Sequence, residues 1–336
     1  MNRLRISNPM LFVVGCPRSG TTLLQRMLDH HPKLAVANDT HFAVRALYKS
    51  APRYIGHAIR GNEIPLDDAL VDGLLDYHRF HRLGVDADEA RAMAVDSPTY
   101  SGWIERLYTS FAVNRGKTYG AEKTPDYVRH MPLLKGLFPW AKFLHIIRDG
   151  RDVALSTLEW AGPKKGPGRW ELWEREPVAA CALWWRWQVE TGRLDARRRL
   201  GSESYAEVRY EELVSEPEEQ LRRISDFLAL PYSEWMVRFH HGKTTSVPGK
   251  SAKSNWLPAT PGLRDWTAQM RPDDQALFQC IAGPTLATLG LPATAHPVSP
   301  VVRRRAKSCL EWWSRFTARR TRKTRRRLEG IIERSA

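Results

Sequence analysis

An α/β fold built on a parallel sheet, with helices on both faces, is the class this sequence predicts. Three features point to it. Short apolar runs without polar alternation recur along the first two-thirds of the chain, which suits strands covered on both faces. Helix-like stretches with one apolar face lie between them. A glycine-bearing turn joins the first apolar run to the first such helix, as in a P-loop. The 336 residues are 42% hydrophobic and 26% charged, an ordinary globular composition with enough chain to bury a core without staples.

The first strand is Leu11–Gly15 (LFVVG). It follows a basic start, but the apolar run there, Met10–Gly15 (MLFVVG), is only six residues long and ends in a polar turn, so it reads as a strand and not as a signal peptide. Thr21–His31 places Leu23, Leu24, Met27 and Leu28 on one helical face and stops before Pro32. A second strand follows at Leu34–Ala37 (LAVA). Residues 66–115 look helical with no clear strand, which predicts a helical insertion. Lys117–Ala121 (KTYGA) is a weaker strand candidate, Lys142–Ile147 (KFLHII) a clear one. Gly162–Trp170 (GPKKGPGRW) reads as an exposed loop. Val178–Leu200 is a long helix holding Trp184, Trp185 and Trp187. Tyr205–Tyr210 (YAEVRY) is the last strand. A helix over Glu216–Leu228 follows, with Ser215-x-x-Glu218 as a capping box.

Residues 291–300 (LPATAHPVSP) hold three prolines and read as a linker. The expected organisation is therefore an α/β domain over 1–290, a linker over 291–300 and a tail over 301–336. No repeat is visible.

The chain's net charge is +15, but residues 301–336 alone contribute +10, with 13 Lys/Arg against 3 Asp/Glu. The basicity belongs to the tail. Leu310, Trp312, Trp313 and Phe316 sit there among arginines. On a helix they form a broad apolar face in a basic surround, which suits an anionic membrane surface. Non-specific RNA binding and a solvated disordered tail are the alternatives, with nucleic acid ranked last. No run of about 18 apolar residues exists, so no membrane-spanning helix is expected. Four scattered cysteines (Cys16, Cys181, Cys280, Cys309), with no CxxC, predict a reducing, cytoplasmic location.

Two motifs carry chemistry. GCPRSGTTLL (Gly15–Leu24) follows a strand and opens a helix, so its backbone amides face an anion. Gly15 and Gly20 have Walker A spacing and Thr22 stands at that motif's Ser/Thr. Thr21, however, occupies the position of its lysine, and the positive charge has moved into the loop as Arg18. An ordinary nucleotide kinase or NTPase needs that lysine on its β/γ-phosphates. The loop therefore predicts anion binding without standard NTP chemistry. HIIRDGRDVALS (His145–Ser156) also runs from a strand into a helix. Arg148 stands at the strand's carboxyl edge, where open α/β sheets bind ligands. Ser156 lies two helical turns on, so the pair suits a second phosphate. Asp149, Arg151 and Asp152 fit equally well as a solvated ion-pair network.

Together these motifs resemble the sulfotransferases that use 3′-phosphoadenosine 5′-phosphosulfate (PAPS). PRSGTT resembles their 5′-phosphosulfate loop and IIRDGRDVALS their 3′-phosphate segment. GAEKTPDYVRHMPLLKGLFPWAKFLHIIRD (Gly120–Asp149) and VRYEELVSEP (Val208–Pro217) fall in the expected order. The likeness spans about Leu11–Leu230 and is greatest to bacterial members and tyrosylprotein sulfotransferases. It implies that Arg18, Ser19, Gly20, Thr21 and Thr22 hold the 5′-phosphosulfate. Arg148 and Ser156 would hold the 3′-phosphate, with Tyr210 near the nucleotide. Lys123, in EKTP, matches a catalytic lysine. Asp39, in NDTHF, falls where these enzymes carry a catalytic Glu, and His41 where the tyrosylprotein enzymes carry an Arg. Trp160 stands where those enzymes have a phosphate-binding Arg. Lys250, Ser251, Lys253 and Ser254 lie near the place of a further nucleotide-binding Ser and Lys.

Sulfuryl transfer needs an acceptor proton removed, charge on the bridging oxygen stabilised, and donor and acceptor held in line. Lys123 and Arg18 suit the second task. Fixed cations remove the need for a metal, and no HExxH or CxxC occurs. Asp39 is the favoured base, with His41 as the alternative of better intrinsic pKa. In an extended segment the two share one side. Among the 13 tryptophans, a stripe at helical spacing reads first as core. Trp170 and Trp173, in the loop, suit contact with a sugar or lipid acceptor. PAPS is thus the expected donor, PAP the product, and the acceptor open. A P-loop kinase-like protein and a non-catalytic anion- or membrane-binding protein are the competing readings.

Overall fold

The computed structural model describes residues 10–50, 52–59, 61, 63–161, 166–241 and 258–332. Lys250, Ser251, Lys253, Ser254 and the first part of the Gly162–Trp170 loop lie outside these residues. The described chain divides into two compact units, residues 1–147 with 192–261, and residues 148–191 with 262–336.

The first unit holds a five-stranded sheet: β1 (Leu11–Gly15), β2 (Leu34–Asn38), β3 (Tyr119–Lys123), β4 (Lys142–Ile147) and β5 (Tyr205–Arg209). Their order is β2-β3-β1-β4-β5, every neighbouring pair parallel. The α/β parallel-sheet prediction is met. Register aligns Val13 with Lys123 and Lys123 with Asn38, so β2 and β3 end level and β1 runs two residues further. Strands β2 and β3 lie on one side of β1, and β4 and β5 on the other, so the order of strand addition switches sides at β1. The carboxyl end of that switch point is where ligands bind in open α/β sheets.

Period two sorts the strand residues onto two faces. Phe12, Val14, Ala35, Ala37 and Phe143 join one apolar core, and Leu11, Val13, Leu34, Val36, Leu144 and Ile146 join another. Helix α1 (Thr21–Asp29) closes the second face with Leu24, Met27 and Leu28. Helix α2 (Tyr100–Val113) covers the first with Trp103, Ile104, Leu107, Tyr108 and Phe111 at helical spacing. Its N-cap is Thr99, whose side chain accepts from the Gly102 amide. Ala121 belongs to the α1 face, and alternation therefore puts Lys123 there and Glu122 on the α2 face. The weak strand candidate at Lys117–Ala121 is real but shifted by two residues, because Lys33 O takes both the Thr118 and Tyr119 amides before the ladder begins.

The second unit contains helix α3 (Gly150–Ala161), the first part of helix α4 (Pro177–Arg199), helix α6 (Pro272–Thr288) and helix α7 (Pro300–Ile332). Helix α5 (Pro217–Leu228) belongs to the first. The expected capping box on α5 is absent. Ser215 turns back onto the Glu211 and Glu212 carbonyls of the preceding helix, and Glu216 is the N-cap residue without a side-chain bond. The loop tryptophans expected to be exposed are buried: Trp170 is 6% and Trp173 7% exposed. Trp170 packs among Trp184, Trp187, Trp312, Trp313 and Phe316, with ring centroids 5.2 to 6.4 Å away. The apolar face of the tail is therefore spent inside its own unit. Val302, Ala306 and Cys309 are also buried, and Arg305 pairs with Glu176 at 2.7 Å.

Helix α2 lies so close to β3 that a Cβ on Gly120 would stand 1.9 Å from the Tyr108 carbonyl oxygen. Gly120→Ala must therefore part helix from strand. We expect it to lower the free energy of unfolding by about 3 kcal/mol, the upper range for overpacking, as read by urea denaturation. An unchanged midpoint would contradict this packing.

Candidate active site

The turn after β1 is shaped by backbone conformations that side chains rarely adopt. Gly20 has φ 94° and Arg18, a non-glycine, has φ 77°. A Cβ at Gly20 would meet the Tyr210 ring at 2.4 Å, so glycine is required there by packing as well as by φ. Tyr210, the first residue after β5, thus forms one wall of the loop. Helix α1 starts at Thr21 with no side-chain cap and no acidic residue in its first turn. Its first-turn amides have no intrahelical acceptors, and the helix N-terminus favours an anion by about 0.3–1 kcal/mol. Ser19 Oγ is buried and has no hydrogen-bond partner among the described residues. An orphaned hydroxyl beside uncapped amides fits an oxyanion.

At the end of β3, Lys123 is 1% exposed. Its Nζ lies 3.0 Å from Asp39 Oδ1 and 3.5 Å from Thr22 Oγ1. One ammonium thus links the carboxyl ends of β2 and β3 to the first turn of α1. The Asp39 amide donates to the Lys123 carbonyl at 2.7 Å, which extends the β2–β3 ladder by one bond. Beyond that point the chain is not extended. Asp39 has φ 52° and His41 φ 54°, both left-handed. The shared side expected from period-two spacing does not form. Asp39 faces Lys123. The His41 amide donates to Thr124 Oγ1 at 3.3 Å and its ring meets Tyr127 edge-on. Burial, then the Arg45 and Arg79 guanidiniums, push His41 down to about 4. It is therefore neutral at pH 7, and a much weaker base than its intrinsic pKa suggests. Arg79 and Arg82 both donate to the Asp39 carbonyl, at 2.9 and 3.0 Å.

The second motif sits in the second unit. Arg148 follows β4 directly and is 7% exposed, as is Ser156 at 6%, two turns along α3. Arg148 pairs with Asp152 at 3.4 Å, and its carbonyl accepts from the Trp185 indole at 3.0 Å. The ion-pair network considered for this segment exists, but it is buried and not solvated. Arg151 grips Asp149 through two nitrogens at 2.9 and 2.6 Å, and its guanidinium lies 3.4 Å from the centre of the Trp266 ring. Trp266 is anchored in turn by an amide bond to Asp152 at 3.0 Å. Trp160 stands 53% exposed on α3.

Comparison with known proteins identifies the family. The model of the "Sulfotransferase family" matches residues 9–234, about two-thirds of the chain. The chain belongs to the sulfotransferase family. Protein-tyrosine sulfotransferase A of Caenorhabditis elegans is 26% identical over 298 residues, covering 87% of this chain and 69% of that protein. Human protein-tyrosine sulfotransferase 1 is 27% identical, covering 86% and 71%. Among solved structures, the sulfotransferase domain of the Synechococcus PCC 7002 olefin synthase superposes with a TM-score of 0.57 at 22% identity, covering 87% of this chain and 99% of that one. The sulfotransferase domain from the curacin biosynthetic pathway gives 0.56 at 18%, covering 85% and 98%. These two share its fold.

The enzyme is a PAPS-dependent sulfotransferase. Its first unit holds Asp39 and Thr22 against Lys123, and Gly20 against Tyr210. Arg79 and Arg82 were not visible in the sequence, since they come from the helical insertion, some forty residues from the carbonyl they hold. Glu122, buried beside Lys123, carried no signal beyond its place in EKTP. No trio of His, Cys, Asp or Glu side chains placed to hold a metal occurs among the described residues.

The buried Lys123 ammonium has its counter-charge in Asp39. Removing the carboxylate takes that counter-charge from a buried cation, which costs about 3 kcal/mol; removing the lysine leaves a half-buried carboxylate that water can reach. Asn tolerates the left-handed backbone as well as Asp. We therefore expect Asp39→Asn to unfold at lower urea concentration than Lys123→Met. The reverse order would contradict the pair as drawn.

Proposed function

We propose that this sulfotransferase acts at the carboxyl ends of β1, β2 and β3, with Lys123 and Asp39 as its catalytic pair. The observation that carries the reading is the Lys123 ammonium, 3.0 Å from a carboxylate and 3.5 Å from a phosphate-loop hydroxyl. Bound PAPS supplies a sulfuryl group on a phosphate leaving group. The amides and hydroxyls of Ser19, Gly20, Thr21 and Thr22, with Arg18, hold the 5′-phosphosulfate. Lys123 and Arg18 offset charge on the leaving oxygen, a contribution of several kcal/mol in a water-poor site. Asp39 takes the acceptor's proton, an effect worth roughly 10²–10⁴ in rate. His41, neutral and beside it, is the alternative base. Tyr210 borders the nucleotide, and Arg148 and Ser156 hold the 3′-phosphate.

The acceptor is a hydroxyl. The relatives' names put peptide tyrosine first among acceptors to try; Asp39 for Glu and Trp160 for Arg speak for a sugar, a lipid-linked hydroxyl or a metabolite instead. Residues 1–290 carry the transfer chemistry. Helix α7 presents a basic outer surface, with Arg303, Arg304, Lys307, Arg315, Arg319, Arg320 and Arg322 exposed. Its aromatic face being occupied, this basic side would meet an anionic membrane surface. The location that goes with this reading is cytoplasmic and peripheral to the membrane. No helix among the described residues is long and apolar enough to cross a membrane.

Calorimetric titration of the full chain with PAP, beside ATP·Mg, tests the nucleotide site. Truncation at 299 would uncover the aromatic cluster of the second unit, so α7 is kept. We expect PAP to bind at least tenfold more tightly than ATP·Mg, and Arg148→Ala and Arg18→Ala each to weaken it tenfold or more, the loss of a charged hydrogen bond. Equal response to both nucleotides, or undiminished PAP binding in both variants, would overturn these assignments. Sulfate-labelling of a tyrosine peptide and of host extract then separates the acceptors.

A further inference from the structure

Glu122 is fully buried on the α2 face of β3, back to back with Lys123. Among the described residues no cation is bonded to it. Instead three hydroxyls converge on its carboxylate: Tyr108 donates to Oε2 at 2.5 Å, Thr124 to Oε1 at 2.6 Å, and Thr40 to Oε1. Burial raises its pKa and the three hydroxyl bonds oppose that rise. A carboxylate in an apolar core is costly wherever an apolar residue would pack, so its place calls for a reason.

The reason lies in what the hydroxyls do next. Thr40 Oγ1 accepts the Phe42 amide at 3.0 Å and contacts the Tyr108 hydroxyl at 3.0 Å. Thr124 Oγ1 accepts the His41 amide at 3.3 Å. The segment they fasten is the one with two left-handed non-glycine residues, Asp39 and His41. Such backbone persists only where the surroundings over-determine it. Tyr127 adds a bond to the Val44 amide at 3.3 Å, and Tyr100 one to the Ala43 carbonyl at 3.0 Å, just beyond the turn.

We propose that Glu122 is a positioning residue for sulfuryl transfer. Through Thr40 and Thr124 its carboxylate holds the 39–42 turn in the conformation that aims Asp39 at Lys123. The proposal rests on Asp39 being the base. Glu122 touches neither donor nor acceptor; it acts from the opposite face of the strand that carries the catalytic lysine. Glu122→Gln keeps the shape and removes the charge that three donors share.

Three readouts on the full chain test it: amide hydrogen exchange, PAP affinity, and label transfer from radiolabelled PAPS to a tyrosine peptide or host extract. In Glu122→Gln we expect PAP affinity within twofold of the parent. The His41 and Phe42 amides should exchange at least tenfold faster while those of β1 and α1 hold their rates, and transfer should slow at least tenfold. Added to Asp39→Asn, it should cause no further loss, since both act through one group. Parental exchange at 41–42, losses that multiply in the double variant, or PAP affinity falling in step with transfer would overturn the proposal. Parental transfer by Glu122→Gln beside an inactive Asp39→Asn would remove the role of Glu122 alone. Full transfer by Asp39→Asn would remove the base, and this proposal with it. Should Glu122→Gln fail to fold, Tyr108→Phe, which deletes one of the three donors, is expected to shift exchange and transfer in the same directions by less.

Discussion

An ammonium group 1% exposed at the end of a central strand is the constraint around which this site is arranged. Such a charge is tolerated only when paired and hydrogen-bonded. Lys123 finds its counter-charge on the neighbouring strand's terminal turn and its second contact on the phosphate loop. The level ends of β2 and β3, with β1 running two residues further into the phosphate loop, make both reachable from one side chain. Parallel pairing with Val13, Lys123 and Asn38 in register therefore has a chemical consequence. It brings a cation, a carboxylate and an anion-binding turn within a few ångströms of each other.

The turn that carries Asp39 shows what that arrangement costs. Two left-handed residues in three, neither a glycine, are held by hydroxyls tied to a buried carboxylate on the far face of the sheet. Arg79 and Arg82 hold the same turn from the insertion side through the Asp39 carbonyl. The helical insertion thus contributes twice, with Tyr108 from α2 beneath the turn and the two arginines above it. The nucleotide motifs, by contrast, are local: each is a strand, a short turn and a helix start, and each explains itself within about a dozen residues.

That difference decides what was legible in the sequence. Strand periodicity and the GCPRSGTT turn are short-range signals, and the sheet and the loop follow from them. Lys123 and Asp39 stand 84 residues apart, and only their likeness to known sulfotransferases suggested a shared site. Glu122 was not legible, because its three hydroxyl partners come from positions 40, 108 and 124 and share no spacing. The extended pairing of Asp39 with His41 failed where backbone strain outweighed alternation. Ser215 had the cap spacing, yet the preceding helix offered its hydroxyl two carbonyls first. In the tail the apolar stripe was read correctly and its partner was not. Six aromatic rings within one unit satisfy it, leaving the basic side outward.

The buried lysine does chemistry and is not merely a structural cation. Label transfer from radiolabelled PAPS into host extract by Lys123→Met, at a PAPS concentration that saturates both forms, separates the two roles. We expect a loss of at least a hundredfold, the range for removing a group that stabilises developing charge, with PAP affinity little changed. Transfer at the parental rate, with PAP affinity intact, would contradict it.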